Sequence, residues 1–547
     1  MIQSSFKMIS SIFFHLVKKR RLIFASLLIT VLSINVSYSQ KSVEKNGSET
    51  PVFPRFKNYS APAPEGYTHT SNLPEDELNK PEYQNNHTDS HLDHYDKLPD
   101  LGSSASKYLS DSEAKKLGLS FIRRSRFSLP YVSDPELLNY INDLGDRLLQ
   151  VSDDAGKDYE FHLIKSDVIN AFAVPGGQIA LHTAILTKSE TEGELASVVA
   201  HEISHVTQNH IARNIENSRF DNYIALGALL AAAAAGGAEG AQAGLAVASA
   251  SILDKQLRYS RSFESEADAL GVRLISRAGF DTNAMPRFFK RLLEDSRLNK
   301  SYAPEFLRSH PLTVRRISES AERVRAYPAI KQQNDESRFL MMQAKATASY
   351  TKRISTTRSY YSDKIKKGDN SLPTRYGYAI TLTRSGEFDK AREVFTQLLK
   401  EFPDNASVLL MHADNELEAK NIEQGLAILK STYEQHIARG DHLIDIYYAN
   451  ALVLTKRNKE AIPILRNAIA NKSDQPFYHI LLSRAYGETG DKMRSFDSSG
   501  EFHYHRGNYQ FALKQFAKAE FLAESDYDKA RIKARIVDVK KEIIALR

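Results

Sequence analysis

Two kinds of hydrophobic pattern divide the chain after its first hundred residues. Between about residues 105 and 330, helical patterns alternate with short apolar runs that are typical of strands. Residues 159–164 and 178–182 are two such runs, and the turn-forming residues Pro175, Gly176 and Gly177 precede the second. The pattern predicts an α+β domain over residues 105–330.

From residue 336 to residue 547 the pattern is helical almost throughout, and a motif recurs in it. Two copies share a glycine, two aromatic residues and an alanine at the same spacing: Gly386, Phe388, Ala391 and Phe395, then Gly507, Tyr509, Ala512 and Phe516. Small residues continue the motif at a period of about 34 residues, at Gly425, Ala461 and Ser495. This spacing predicts an all-α solenoid of about four degenerate tetratricopeptide repeats, with a charged helix near residues 526–547.

The first 39 residues have the pattern of a secretory signal peptide. Basic residues at 18–21 precede an apolar run at 22–36, and small residues at 37 and 39 follow it. The run is shorter than the ~20 residues that span a membrane. We therefore expect cleavage near Ser39 and export to the periplasm. Residues 40–104 are polar without apolar periodicity, which indicates a disordered linker.

Charge and cysteine content exclude other classes of protein. Residues 1–39 carry five basic and no acidic residues, so the rest of the chain has 68 basic against 67 acidic residues. Because nucleic-acid binding requires a basic patch on the folded part, no such partner is predicted. The chain has no cysteine, so an exported protein of this size must fold without disulfides, and it lacks the residue of a lipid anchor.

A His-Glu-x-x-His motif provides the candidate chemistry. Ser189 and Glu192 have the spacing of a capping box, and apolar positions at helical period follow them. His201 and His205 are then about 40° apart on one helix face, so both imidazoles can bind one zinc ion per chain. Glu202 is placed to act as the general base for the attacking water. The sequence predicts a zinc metalloendopeptidase.

A third metal ligand is expected downstream. Glu264 and Asp268 share one face of a predicted helix, whereas Glu266 points to the other side. We therefore predict that Glu264 is the ligand and that Asp268 is the carboxylate that orients a ligand histidine. His210 is expected about 180° away from His201 on the same helix, as a surface or packing residue.

The two motifs together resemble the zinc metalloprotease family of the CAAX-prenyl endopeptidases. The segment that begins with Asn170, Ala171 and Phe172 is similar to that family's strand beside the active site. The resemblance implies that this edge strand binds the backbone of the substrate, which is a known way to hold an extended peptide.

A periplasmic branch of the family in Gram-negative bacteria is similar over about residues 98–547. It shares the order of signal peptide, Leu98-Pro-Asp-Leu-Gly102, protease, Ser309-His310-Pro311-Leu312 and repeats. The resemblance implies chaperone-like assistance to outer-membrane protein assembly and degradation of misassembled β-barrel proteins. Its implied partners are those barrel proteins, unfolded substrates and the assembly machinery, reached through the repeats.

His310 lies in a His-Pro pair at a predicted loop. It is interpreted either as a reversible fourth zinc ligand that blocks the water or as an oxyanion donor. The remaining interpretation is a turn histidine that caps the preceding helix.

Residues 223–252 form an apolar stretch rich in alanine and glycine. Its uninterrupted part is shorter than the ~20 residues of a membrane span, so we expect a helical hairpin that covers the cleft or contacts a membrane surface. A protease embedded in a membrane would require several long spans. The other alternative is a repeat-based scaffold or chaperone whose zinc site is largely inhibited.

Overall fold

The computed structural model describes residues 110–217, 250–298, 306, 310–328, 336–438, 443–471 and 474–544. The predicted signal peptide and linker, and all but the end of the apolar stretch 223–252, lie outside the described residues. No helix in these ranges is long and apolar enough to cross a membrane.

A small sheet surrounded by helices forms the first part of the described chain. Its strands are β1 (Glu160–Ile164), β2 (Ala171–Val174) and β3 (Gln178–His182). Its helices are α1 (Asp111–Ser128), α2 (Pro135–Leu149), α3 (Thr183–Lys188), α4 (Glu192–Thr207), α5 (His210–Asn217), α6 (Ala250–Arg277), α7 (Ala284–Leu298) and α8 (Val314–Val324). The predicted α+β class is confirmed.

The three strands lie in the order β1-β3-β2, with β1 parallel and β2 antiparallel to β3. Gly176 and Gly177 connect β2 to β3, and both have φ +77°, a region that glycine enters without steric cost. On the outer side of β1, the Val132 N–H donates to the Leu163 carbonyl at 2.8 Å. No described strand pairs with the outer side of β2, so β2 is an edge strand.

Helix α4 runs through the core, and its residues from Glu192 to Ser204 are all buried. The predicted cap at Ser189 is wrong by two residues. The hydroxyl of Thr191 accepts from the Glu194 N–H at 3.2 Å and caps α4. Ser189 instead ends α3, where its hydroxyl donates to the Ile185 carbonyl at 2.8 Å. Ser189, which the local pattern favoured as the cap of α4, therefore caps the end of the short helix α3 instead.

Helices alone form the rest of the described chain. They are α9 (Ser337–Tyr350), α10 (Ile354–Lys366), α11 (Leu372–Arg384), α12 (Phe388–Glu401), α13 (Ala406–Glu418), α14 (Ile422–Ile437), α15 (Asp445–Leu454), α16 (Asn458–Asn471), α17 (Pro476–Thr489), α18 (Lys492–His505), α19 (Tyr509–Leu522) and α20 (Asp526–Ile544). Consecutive helices from α11 to α20 pack against each other. The predicted helical-repeat solenoid is confirmed.

Close helix contacts explain the small residues of the repeat motif. Ala391, Ala461 and Ala512 are fully buried, which is the environment that the motif predicts. The same constraint acts on Gly500, where an added Cβ would lie 2.5 Å from the ring of Phe516. Small residues at these positions let the aromatic side chains fill the space between neighbouring helices.

A buried ion network joins α9 to the sheet-containing part. The ammonium of Lys345 lies 2.9 Å from Asp134 and 2.6 Å from Glu136, and Lys345 is 1% exposed. The Tyr447 hydroxyl lies 2.9 Å from both Lys345 Nζ and an Asp134 oxygen. Although burial alone would lower the pKa of Lys345, these two carboxylates raise it. Lys345 is therefore charged at the contact between the two parts of the chain.

The last repeat helices return to α1. Arg123 donates to the Tyr504 hydroxyl at 3.0 Å, and its guanidinium lies over the Tyr504 ring. Arg126 donates to the Asp474 carbonyl at 3.1 Å. The helical region thus contacts the first part of the chain at both of its ends.

Substituting Lys345 by Met is expected to lower the free energy of unfolding by about 3–5 kcal/mol, because Asp134 and Glu136 are left buried without their cation. Urea unfolding followed by circular dichroism measures the change. Lys352→Met is the matched control, since Lys352 is exposed and pairs with an exposed Asp167. Equal midpoints for the two variants would contradict the assigned importance of the network.

Candidate metal centre

Two helices carry the candidate metal-binding side chains. Helix α4 presents His201 and His205 one turn apart, and α6 presents Glu264. The helices approach closely at Gly271, where an added Cβ would lie 2.8 Å from the Met285 side chain and 3.5 Å from the backbone nitrogen of His201. His201 is fully buried and Glu264 is 2% exposed. The packing of α6 on α4 therefore fixes the spacing between the histidines and the carboxylate.

The donor atoms of these three residues converge on one point together with His310. The Nε2 atoms of His201 and His205 are 3.0 Å apart, and each lies 3.3 Å from a Glu264 oxygen. His310 Nδ1 lies 3.0 Å from Glu264 Oε1 and 3.3 Å from His201 Nε2. All four donor atoms lie within 4.8 Å of one another.

This arrangement fits a tetrahedral metal ion. Zinc–nitrogen bonds of about 2.0–2.1 Å place tetrahedral ligand atoms about 3.3 Å apart. The histidine nitrogens and the nearest Glu264 oxygens have neighbouring separations of 3.0 to 3.3 Å, and all four donor atoms lie within 4.8 Å. Imidazole and carboxylate are also the donors that zinc binds in hydrolases. The four residues of the cluster therefore fit the predicted ion.

Asp268 lies beside the first histidine. Its Oδ1 lies 3.1 Å from His201 Nδ1, the ring nitrogen that faces away from the donor cluster, and both side chains are fully buried. A carboxylate in this position fixes the tautomer in which Nε2 keeps its lone pair for a metal. The role predicted for Asp268 requires a contact of this kind, and the role itself stays a prediction.

Arg316, which was not among the residues predicted from the sequence, connects the two carboxylates. Its Nε and Nη2 each donate to Asp268 at 2.8 Å, and its Nη1 lies 2.9 Å from Glu264 Oε2. Nη1 also donates to the Pro311 carbonyl at 3.0 Å, beside His310. Six residues after His310, Arg316 lies in the first turn of α8 and is 4% exposed. A buried arginine next to a His-Pro loop carries no motif that single-sequence reasoning recognises.

The charges of the ligand cluster suit metal binding. Burial would lower the pKa of His201, but Asp268 and Glu264 outweigh this effect and raise the pKa to about 10. For His205, burial dominates and lowers the pKa to about 3, against the opposing effect of Glu264. Burial would raise the pKa of Glu264, yet the surrounding histidines hold it well below its usual value. Glu264 is thus ionised and His205 neutral, which are the states that a metal ion requires of its ligands, and binding of an ion would displace the proton from His201.

Glu202 lies beside the cluster without being part of it. It is fully buried, and its oxygens accept no hydrogen bond from another side chain within the described part of the chain. The nearest ring nitrogen is His310 Nε2, at 3.4 Å from Oε1. Burial raises its pKa, while His310, His201 and the Ala173 backbone amide on β2 oppose the increase. A buried carboxylate at this position can accept a proton from a water molecule.

The structure places His210 differently from the sequence prediction. Helix α4 ends at Thr207, and Asn209 adopts φ +50°, so His210 begins a new helix. His210 is 3% exposed, and its Nδ1 lies 2.8 Å from His205 Nδ1. The expectation that it lies opposite His201 on the same helix is therefore wrong, whereas its burial against Phe263 agrees with the packing alternative. The helix break turns its ring back toward the cluster.

Comparisons with known proteins agree with this site and fold. Residues 135–324 match the model of peptidase family M48, and residues 382–436 match a tetratricopeptide-repeat model. The β-barrel assembly-enhancing protease of Escherichia coli K12 is 31% identical over 454 residues, which cover 81% of this chain and 91% of the relative. A Vibrio cholerae relative is 34% identical over 80% of this chain and 91% of its own length.

A more distant relative matches a shorter stretch of the chain. The mitochondrial metalloendopeptidase OMA1 of Schizosaccharomyces pombe is 31% identical over 34% of this chain and 52% of its own length. The fold and the comparisons together define a metalloendopeptidase followed by tetratricopeptide repeats. The chain belongs to peptidase family M48 and, within it, to the β-barrel assembly-enhancing proteases.

Substituting Arg316 by Met is expected to lower the free energy of unfolding of the metal-free protein by about 3–5 kcal/mol, because Asp268 and Glu264 lose their buried cation. Urea unfolding in the presence of a chelator measures the effect. The control is Arg315→Met, which alters an exposed neighbour paired with Glu319 on the surface. The same midpoint for both variants would show that Arg316 does not neutralise the buried carboxylates.

Proposed function

We propose that the chain is a zinc-dependent endopeptidase and chaperone-like factor of the periplasm that acts in the assembly and quality control of outer-membrane β-barrel proteins. In this proposal it degrades barrel proteins that have failed to assemble. The observation that carries the enzymatic part is the convergence of four donor atoms within 4.8 Å of one another. The class of substrate is supported by the name of the relatives, β-barrel assembly-enhancing protease.

His201, His205 and Glu264 would hold the zinc ion. When bound, zinc polarises a peptide carbonyl and lowers the pKa of a water molecule. Glu202 accepts the proton of the attacking water and returns it to the leaving amine. Asp268 holds His201 in the required tautomer, and Arg316 keeps Asp268 in place through two hydrogen bonds of 2.8 Å.

The edge strand β2 is the proposed substrate-binding element. The His182 N–H donates to the Asn170 carbonyl at 2.9 Å, and hydrogen-bonded pairs alternate along an antiparallel ladder. The backbone groups of Phe172 therefore face β3, whereas those of Ala171 and Ala173 face outward. Because Ala173 lies next to Glu202, a substrate strand paired with β2 would place a peptide bond beside the general base.

His310 is proposed to be a fourth metal ligand in the resting enzyme. Its Nδ1 lies among the other donor atoms, and its ring stacks on Phe306 with centroids 4.7 Å apart. A ligand in this position occupies the site that an attacking water needs. The position of Nδ1 favours this role over that of an oxyanion donor, which would have to face the substrate carbonyl.

The repeats are the proposed binding surface for substrates and for the barrel-assembly machinery, because stacked helix pairs present an extended concave surface. We assign residues 105–330 to the protease domain and residues 336–547 to the repeat domain. Cleavage of a signal peptide at residues 1–39 and a disordered linker at 40–104 remain part of the proposal. So does a peripheral membrane contact through residues 223–252.

Substituting Glu202 by Gln is expected to lower the rate of cleavage of an unfolded outer-membrane β-barrel protein by about 10²–10⁴-fold, because the general base is removed. Zinc content should stay near one ion per chain. Glu190→Gln, at an exposed position just before α4, serves as the control. If Glu202→Gln cleaves normally, the enzymatic proposal fails. If the variant still supports barrel assembly in cells, the scaffold function accounts for that part of the phenotype.

Substituting His310 by Ala is expected to raise the cleavage rate about tenfold if the resting site is open about a tenth of the time. Hydrolysis of the same unfolded substrate, with zinc content measured in parallel, provides the test. His436→Ala, on α14 of the repeats, is the control. A lower rate with zinc retained would instead assign His310 as an oxyanion donor, and an unchanged rate would exclude both roles.

A further inference from the structure

The second ligand histidine has a partner that differs from that of the first. His201 meets a carboxylate directly, at 3.1 Å from Asp268. His205 meets another imidazole, with its Nδ1 2.8 Å from Nδ1 of His210. His210 Nε2 in turn lies 3.2 Å from Glu266 Oε2. Three side chains therefore form a continuous line away from the metal centre.

The surroundings of His210 hold its ring in one orientation. The ring stacks on Phe263 with centroids 4.5 Å apart and an interplanar angle of 18°. Arg213 donates to both oxygens of Glu266, at 3.0 and 3.1 Å, and its guanidinium lies over the same phenylalanine. Asn209, at φ +50°, supplies the turn that brings His210 to this position, and asparagine enters this backbone region more readily than most residues.

When His205 binds a metal through Nε2, only one arrangement of protons allows both the His205–His210 and the His210–Glu266 hydrogen bonds to form. The Nδ1 of His205 then carries a proton and must donate. His210 Nδ1 must accept, because a hydrogen bond between two ring nitrogens needs one donor and one acceptor. The proton of a neutral His210 is then on Nε2, where Glu266 accepts it. Metal binding through His205 Nε2 therefore fixes which atom donates in the His205–His210 and His210–Glu266 hydrogen bonds.

We propose that His210 and Glu266 are positioning residues that hold His205 in its metal-binding tautomer through this imidazole relay. The inference rests on the zinc site of the proposed function. In this proposal Glu266, which was predicted to point away from the site, accepts the hydrogen bond of His210. The left-handed backbone of Asn209 places His210 beside His205. Each candidate ligand histidine is thus connected to a carboxylate of α6. His201 contacts Asp268 directly, whereas His205 is connected to Glu266 through the ring of His210.

Two substitutions of His210 separate the relay from simple packing. In His210→Gln the side-chain carbonyl can accept from His205 Nδ1–H while the amide donates to Glu266. In His210→Phe the ring can still stack on Phe263, but it has no acceptor. The relay predicts that zinc affinity falls about 10–100-fold in the phenylalanine variant and stays near the wild-type value in the glutamine variant.

The experiment is equilibrium competition for zinc between the full-length protein and a chromophoric chelator, with circular dichroism to verify folding. Equal affinity of wild type and His210→Phe would overturn the relay, as would an equal loss in both variants or a loss in His210→Gln alone. If His210→Phe fails to fold, the affinity of His210→Gln alone still decides, since a loss there contradicts the relay. A wild-type protein that binds no zinc would overturn the proposed zinc enzyme itself, a result distinct from failure of the relay alone.

Discussion

The burial of three carboxylates beside two histidines is the constraint on which the rest of the structure depends. Glu202 and Asp268 are fully buried and Glu264 is 2% exposed, and an unpaired buried charge costs several kcal/mol. Arg316 offsets part of this charge, and a divalent cation would offset most of the remainder. Helices α4, α6 and α8 must therefore keep fixed relative positions. The close packing at Gly271 and the Arg316 contacts with Asp268 and Glu264 serve that requirement.

The repeat region also contacts the residues around the start of α4, the helix that carries the His-Glu-x-x-His motif. The Gln343 side chain on α9 donates to the carbonyls of Leu186 and Ser189, at 3.1 and 2.6 Å, just before α4 begins. The Glu192 N–H in the first turn of α4 donates to Glu336, at 3.1 Å. Apolar residues of both parts also form one continuous hydrophobic cluster. A polypeptide bound by the repeats in the proposed function would therefore be held on a scaffold that packs directly against the catalytic helix.

Sequence reasoning succeeded where a relation depended on one regular helix. His201 and His205 are four residues apart, as are Glu264 and Asp268, and helical geometry alone places each pair on a common face. It failed for His210, which was extrapolated along a helix that ends at Thr207. The left-handed Asn209 reverses the expected direction of that ring. It also failed for the cap of α4, since Ser189 belongs to a preceding helix that the local pattern did not reveal.

The sequence by itself determined the class of fold, the repeats, and the residues that converge on a metal, because periodicity and short motifs encode the local geometry of single elements. Only the tertiary structure decided how separate elements meet. Arg316 pairs with Asp268 across 48 residues of sequence, and His210 pairs with Glu266 across 56. Such contacts depend on how whole helices pack, so no local sequence pattern predicts them. The candidate ligands could thus be predicted from the sequence, whereas the contacts of Arg316 and His210 with them became apparent only in the fold.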